Sequence, residues 1–174
     1  MTRYWDLVWV LDEEQRDLLL RLTPTAFDGD RAQWAFCLMQ AYVLRGDQEN
    51  FRKSAEEARK GIEDQLRGAP QNATLRATLG LTLAYLGRKE EAIREGLRGV
   101  DLTPVSKDAF VGPYYQHQLA RIYMLAGEPE KALDQLEPLL KIPYYLTPGW
   151  LKIDPNFDPL RNNPRFQKLV ASGK

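Results

Sequence analysis

Residues with the chemistry to act on a substrate are few in this chain. It contains one histidine, His117, and one cysteine, Cys37, so neither a Cys/His metal cluster nor a cysteine nucleophile beside its base is spelled out by spacing. Cys37 lies between Phe36 and Leu38, a setting that reads as a small buried hydrophobe rather than a reactive thiol. The run "DEEQRD" from Asp12 to Asp17 holds carboxylates of the kind used in acid/base pairs. Acidic residues opening a helix are, however, expected on dipole grounds alone. No glycine-rich phosphate loop, Ser/His/Asp arrangement or helix-borne metal motif occurs. The expectation is a protein without enzymatic activity, cofactor or metal.

What remains is a pattern suited to recognition. In "PYYQHQLARIYMLA", His117 and Arg121 stand one helical turn apart, and Tyr114 and Met124 continue the stripe at a spacing of three. An imidazole, a guanidinium, a phenol and a thioether on one helix face suit a partner's carboxylate or aromatic side chain. The alternative is a helix packed on its neighbour with an exposed arginine.

The elements that position this stripe are read from periodicity and punctuation. β-Branched residues are sparse and period-two alternation is not sustained, so the chain is predicted to be all-α. "TRYWDLVWV" and "EEQRDLLLRL" form a first short helix pair, ended by Thr23-Pro24 and the loop "TAFDGD". Asp30 caps "RAQWAFCLMQAYVLR", which breaks at Gly46; "DQENFRKSAEEARKGIEDQLRG" follows, with Phe51, Ala55, Ala58, Ile62 and Leu66 on one face. Asn72 caps "ATLRATLGLTLAYL", Gly87 breaks it, and "KEEAIREGLRGVDL" runs to Thr103-Pro104. A linker, "VSKDAFVG", leads to the helix that opens with Pro113 and stops at Gly127, and then to "PEKALDQLEPLLKI". Thr147-Pro148 and Asn163-Pro164 start two further helices.

Composition bounds the partners. Lys+Arg and Asp+Glu are both 24, so the formal net charge is zero, and no long-range field draws nucleic acid or an acidic membrane surface. The apolar run from Leu7 to Leu11 is too short for a signal-peptide core and is flanked by Asp6, Asp12, Glu13 and Glu14. No stretch approaches the roughly 20 apolar residues of a membrane helix. A soluble chain in the cytoplasm is expected, although a fragment of a longer exported protein would look the same.

Overlaying the segments exposes a period: Gly46, Gly87 and Gly127 are 41 and 40 residues apart. A shift of 40 pairs Leu79 with Leu119, Gly80 with Ala120, Leu83 with Tyr123, Ala92 with Ala132 and Ile93 with Leu133. These residues resemble the tetratricopeptide repeat, two antiparallel helices with a small residue where they cross, a glycine at the turn and an alanine early in the second helix. Residues 72–104 carry the likeness with Leu79, Gly80, Gly87, Ala92 and Pro104, and residues 113–143 with Leu119, Ala120, Tyr123, Gly127 and Ala132. Residues 31–69 carry it with Met39 and Phe51 exchanged for small residues and Ala55 one turn later, and residues 2–22 as a partial repeat. The resemblance implies a single domain, a right-handed α-solenoid of helical hairpins.

Residues 144–174 are read as a capping segment, with Trp150, Phe157, Leu160, Phe166 and Leu169 as its apolar surface. Asp154-Pro155, Phe157-Asp158-Pro159-Leu160-Arg161 and Pro164-Arg165-Phe166 are similar to the segment closing the repeat region of multidomain bacterial signalling proteins. In those the repeats follow a kinase, a cyclase or a winged-helix domain, none of which this chain contains. By the repeat resemblance, Tyr85, Tyr114, His117, Arg121 and Met124 line a concave groove that binds a protein or peptide. The lysines and asparagines with which some members clamp a terminal carboxylate are missing from the stripe. Two alternatives stand beside this reading. In one, the end around Trp5 and Trp9 pairs with a second copy as a homodimer; in the other, the groove holds a small molecule or the chain's own tail.

Overall fold

A computed structural model describes residues 7–171. The chain is all-helical: among the described residues there are helices and short 3₁₀ turns, and no strand. They fall into two compact units, residues up to Gly68 and residues from Ala69 on, which are taken in turn.

The first unit contains a 3₁₀ turn (Val8–Val10), α1 (Glu13–Arg21), a second 3₁₀ turn (Pro24–Phe27), α2 (Arg31–Arg45) and α3 (Gln48–Gly68). The first helix predicted, over "TRYWDLVWV", is not formed where it is described: Val8–Val10 makes a single 3₁₀ turn, and residues 2–6 lie outside the described residues. The physical reason is the capping box that follows. Asp12 Oδ1 accepts the Gln15 N–H at 2.8 Å and Gln15 Oε1 accepts the Asp12 N–H at 3.1 Å, which starts a new helix and places Glu13 and Glu14 in its positive first turn. Asp30 caps α2 by accepting the Gln33 N–H at 2.9 Å. Helices α2 and α3 pack on each other, and Met39, Phe51 and Ala55 are all buried. A Cβ on Gly61 would lie 2.7 Å from Ala32 Cβ, so these two helices meet closely there.

The second unit runs through α4 (Ala73–Tyr85), α5 (Lys89–Leu102), α6 (Gly112–Ala126), α7 (Pro129–Leu139), α8 (Pro148–Ile153), a 3₁₀ turn (Pro155–Leu160) and α9 (Pro164–Ala171). Asn72 caps α4 through the Leu75 N–H at 3.1 Å. The turn into α5 passes through Gly87 at φ 78°, a left-handed conformation that costs glycine little; Gly46 and Gly127 take the same conformation at the two equivalent turns. Helix α4 packs on α5 and α6, α5 on α6, and α6 on α7. Arg76 and Glu95 form a half-buried ion pair between α4 and α5 at 2.7 Å, and Arg76 also donates to the Pro70 carbonyl at 3.0 Å.

Gly80 explains how α4 and α5 come so near. A Cβ there would lie 2.9 Å from both the Ala92 carbonyl oxygen and the Gly96 nitrogen, and 2.8 Å from Ile122 Cδ1 of α6. Two of those neighbours are backbone, which cannot swing aside, so even a methyl group must push the helices apart. Gly80→Ala is therefore expected to cost about 1–3 kcal/mol, and Gly80→Val more, on the scale of overpacked cores. Urea denaturation measures this; midpoints equal to wild type for both variants would contradict the close approach.

Candidate functional site

The stripe expected to serve recognition, Tyr114, His117, Arg121 and Met124, rides on α6, whose start is fixed locally. The Asp108 carboxylate accepts the Phe110 and Val111 N–H groups, each at 2.9 Å, and these bonds hold its pKa below the usual carboxylate range. A Cβ on Gly112 would sit 2.7 Å from the Val105 nitrogen, so the loop folds tightly against the first turn of α6. Pro113 follows in that turn, where its missing N–H is no loss.

From this helix the expected residues go to different places. His117 and Arg121 are only 1% and 3% exposed, so the exposed arginine of the plainer reading is not what is found. Met124 is half-buried against the core formed by α6, α7 and the capping segment. Tyr114 is half-buried and packs with Tyr115 beside Ala73 and Ala77. Tyr85 is half-buried at the last position of α4.

His117 meets residues of the chain's own C-terminal segment. Its ring stacks on Phe157 with centroids 5.9 Å apart and planes 17° apart. Its edge faces Tyr144 and Tyr145 at 6.1 and 5.9 Å, and its Nδ1 lies 3.2 Å from the Tyr145 hydroxyl and 3.4 Å from that of Tyr144. Tyr145 in turn meets the Trp150 ring edge-on at 5.4 Å. The result is an aromatic box around an imidazole.

Arg121 belongs to an adjoining polar network. Its Nη1 donates to Gln118 Oε1 at 3.0 Å and its Nη2 to Asn156 Oδ1 at 3.3 Å. The Asn156 side-chain amide donates to Asp154 Oδ1 at 2.6 Å, as does the Asn156 backbone N–H at 2.9 Å. The Trp150 indole N–H reaches Asp154 Oδ2 at 3.2 Å. Asp154, 2% exposed, thus caps the 3₁₀ turn, orients Trp150, and connects through Asn156 to Arg121. Thr147 caps α8 through the Trp150 N–H at 3.1 Å, as its sequence predicts.

Trp150 and Phe157 are the expected cap residues, but nothing in their spacing joins them to His117. Tyr144, Tyr145, Asp154 and Asn156 carry no spacing in the sequence that marks them as members of a site. The only local signal was capping chemistry at Thr147 and Asp154.

Chemically the arrangement holds the chain's own segment by ring stacking and a few oriented hydrogen bonds. Among the described residues no group of three or more His, Cys, Asp or Glu could hold a metal ion, and no helix is long and apolar enough to cross a membrane. Cys37 is buried in α2, and desolvation, with Asp30 adding to it, pushes its thiol from 9.0 up to about 12. Trp9 is half-buried, and Trp5 lies outside the described residues. Compared with family models, with curated proteins and with solved structures, the chain matches none.

Two outcomes follow from this geometry. Phe157→Ala removes a fully buried ring that carries the stack on His117 and should cost about 3–5 kcal/mol in calorimetry or urea titration; a loss well under 1 kcal/mol would mean that the stack is dispensable. Cys37 should alkylate slowly in the native protein at pH 8 and fast in denaturant. Its folded pKa lies above the unfolded one, so the stability gained by keeping the thiol neutral is complete below pH 9.0 and is lost as pH climbs toward about 12. Native alkylation as fast as in denaturant would contradict the burial.

Proposed function

We propose that the chain is a non-catalytic scaffold of the tetratricopeptide kind, acting in the cytoplasm, that binds another protein or peptide on the face built from α4 and α6, the first helices of the hairpins in its second unit. The repeat resemblance supports this reading, as do the packing of α4 on α5 and of α6 on α7 and the glycines in left-handed turns at equivalent positions.

The observation that carries it is that α6 already engages a run of polypeptide. Side chains of residues 144–157 meet His117 and Arg121 by stacking, by phenol–imidazole contact and by an amide–guanidinium bond. Such a surface reads peptides by aromatic and amide chemistry. With His117 and Arg121 engaged within the chain, Tyr85, Tyr114 and Met124 are the stripe residues that keep surface to offer a partner. The closing segment "DPNFDPLRNNPRF" extends the reading to the regulatory end of a signalling protein.

The test is a photo-crosslinking amino acid placed at Tyr85, Tyr114 or Met124 in the living source cell, with Lys168 as a control on the exposed side of α9. Covalent adducts to another polypeptide at the stripe positions and not at Lys168 are the expected result. Equal adducts at all four sites, or none at the stripe, would overturn the reading.

A further inference from the structure

The capping segment is held in two unlike ways. Between residues 146 and 160 it buries Leu146, Leu151, Phe157 and Leu160, and Asp154 and Asn156 add the polar network to Arg121. Helix α9 buries one side chain, Phe166, with Leu169 and Val170 half-buried. At eight residues it is far too short to stay helical in water by itself.

Helix α9 rests on α8 and, more lightly, on α7, and toward α7 it presents Arg165. Its three guanidinium nitrogens each reach a different carboxylate of α7: Nε to Glu137 at 2.6 Å, Nη2 to Asp134 at 2.8 Å and Nη1 to Glu130 at 3.2 Å. These carboxylates follow one another at i, i+4 and i+7 along one face of α7. Asn163, whose Oδ1 accepts the Arg165 and Phe166 N–H groups at the start of α9, also donates to Glu130 Oε1 at 2.8 Å. The clamp is open to water, with the Arg165 side chain 35% exposed, so dissolved ions can screen it.

We propose that α9 is a releasable strap, latched to α7 by Arg165 and its three carboxylates, which opens as a unit while residues 146–160 stay seated on α6 and α7. The arrangement of charge explains why one residue governs it. A single cation bridges three anions that would otherwise repel each other along α7, so losing Arg165 removes the attraction and restores that repulsion at once. Release frees Phe166 from the core it shares with Leu133 and Leu136, giving the fold a salt-sensitive means of exposing an apolar seat at its C-terminal end.

Amide hydrogen exchange of the full chain, read by mass spectrometry, tests this by comparing residues 167–171 with residues 148–160. In wild type the strap should exchange faster than residues 148–160, and several-fold faster at about 1 M salt than at about 0.05 M, because the Debye length falls from about 14 Å toward about 3 Å. Arg165→Glu should raise exchange in the strap by about tenfold and leave residues 148–160 within about twofold. Adding Glu137→Arg to that variant should recover much of the protection, which a purely steric role for Arg165 would not give; Arg165→Gln, which reverses no charge, should fall between. Strap exchange unchanged in Arg165→Glu, both segments opening together in every variant, or no recovery with the reversed pair would overturn the proposal.

Discussion

Backbone contact at Gly80 is the constraint from which the second unit follows. With no side chain there, α5 lies directly against α4, and Ile122 of α6 reaches into the junction between them. Gly96 serves the same packing from α5, since a Cβ on it would stand 2.7 Å from Ile122 Cδ1 and 3.0 Å from Leu119 Cδ1. Two absent side chains therefore set how deeply α6 can seat. The rotation of α6 about its axis is fixed with it: Leu119, Ala120 and Ile122 turn into the packing, and the helix carries His117 and Arg121 toward the capping segment. Helix α4 keeps hydroxyls in the same neighbourhood without cost. Thr78 and Thr82 each donate to the carbonyl one turn back at 2.8 Å, and Thr74 Oγ1 lies 2.8 Å from the Tyr115 hydroxyl.

The parts of this design that could be read from sequence are those decided within a few residues. Asp30, Asn72 and Thr147 each cap the helix expected of them, because the bond joins a side chain to an N–H three positions on. The tightness at Gly80 was also legible, because small residues recurred in register at a period of 40. The apolar run before Asp12 gave too little to go on, and the capping box decided where the helix began. The burial of His117 and Arg121 was of another kind. Their i, i+4 spacing describes an available stripe equally well whether water or polypeptide covers it, and the capping-segment residues they meet lie 27 to 40 positions away, from Tyr144 to Phe157.

Whether residues 146–160 form a gate or a fixed cap is decided by magnitude. Leu146, Leu151, Phe157 and Leu160 are essentially out of water, and each contributes about 1.5–3 kcal/mol by burial. A competing peptide would have to replace roughly 6–12 kcal/mol of apolar contact before gaining anything at His117, comparable to the whole binding energy of a micromolar complex. Those residues therefore behave as part of the core. This bears on the alternative in which the chain's own tail regulates the groove: only a portion with far less burial could move at physiological cost.

The polar groups inside that cap do a different task from its apolar ones. Leucine and phenylalanine give a large but undirected attraction, which a segment shifted by a residue could largely retain. Asp154 cannot shift in this way: its two oxygens are taken by the Trp150 indole and by the side chain and backbone of Asn156, and Asn156 also meets Arg121. A displaced register would leave a carboxylate and a guanidinium buried with their donors and acceptors misaligned, a penalty steep in a low-dielectric interior. Apolar burial thus supplies the hold, while the Arg121–Asn156–Asp154 network selects one seating. Phe157, one residue beyond Asn156, is brought by that seating onto the face of His117.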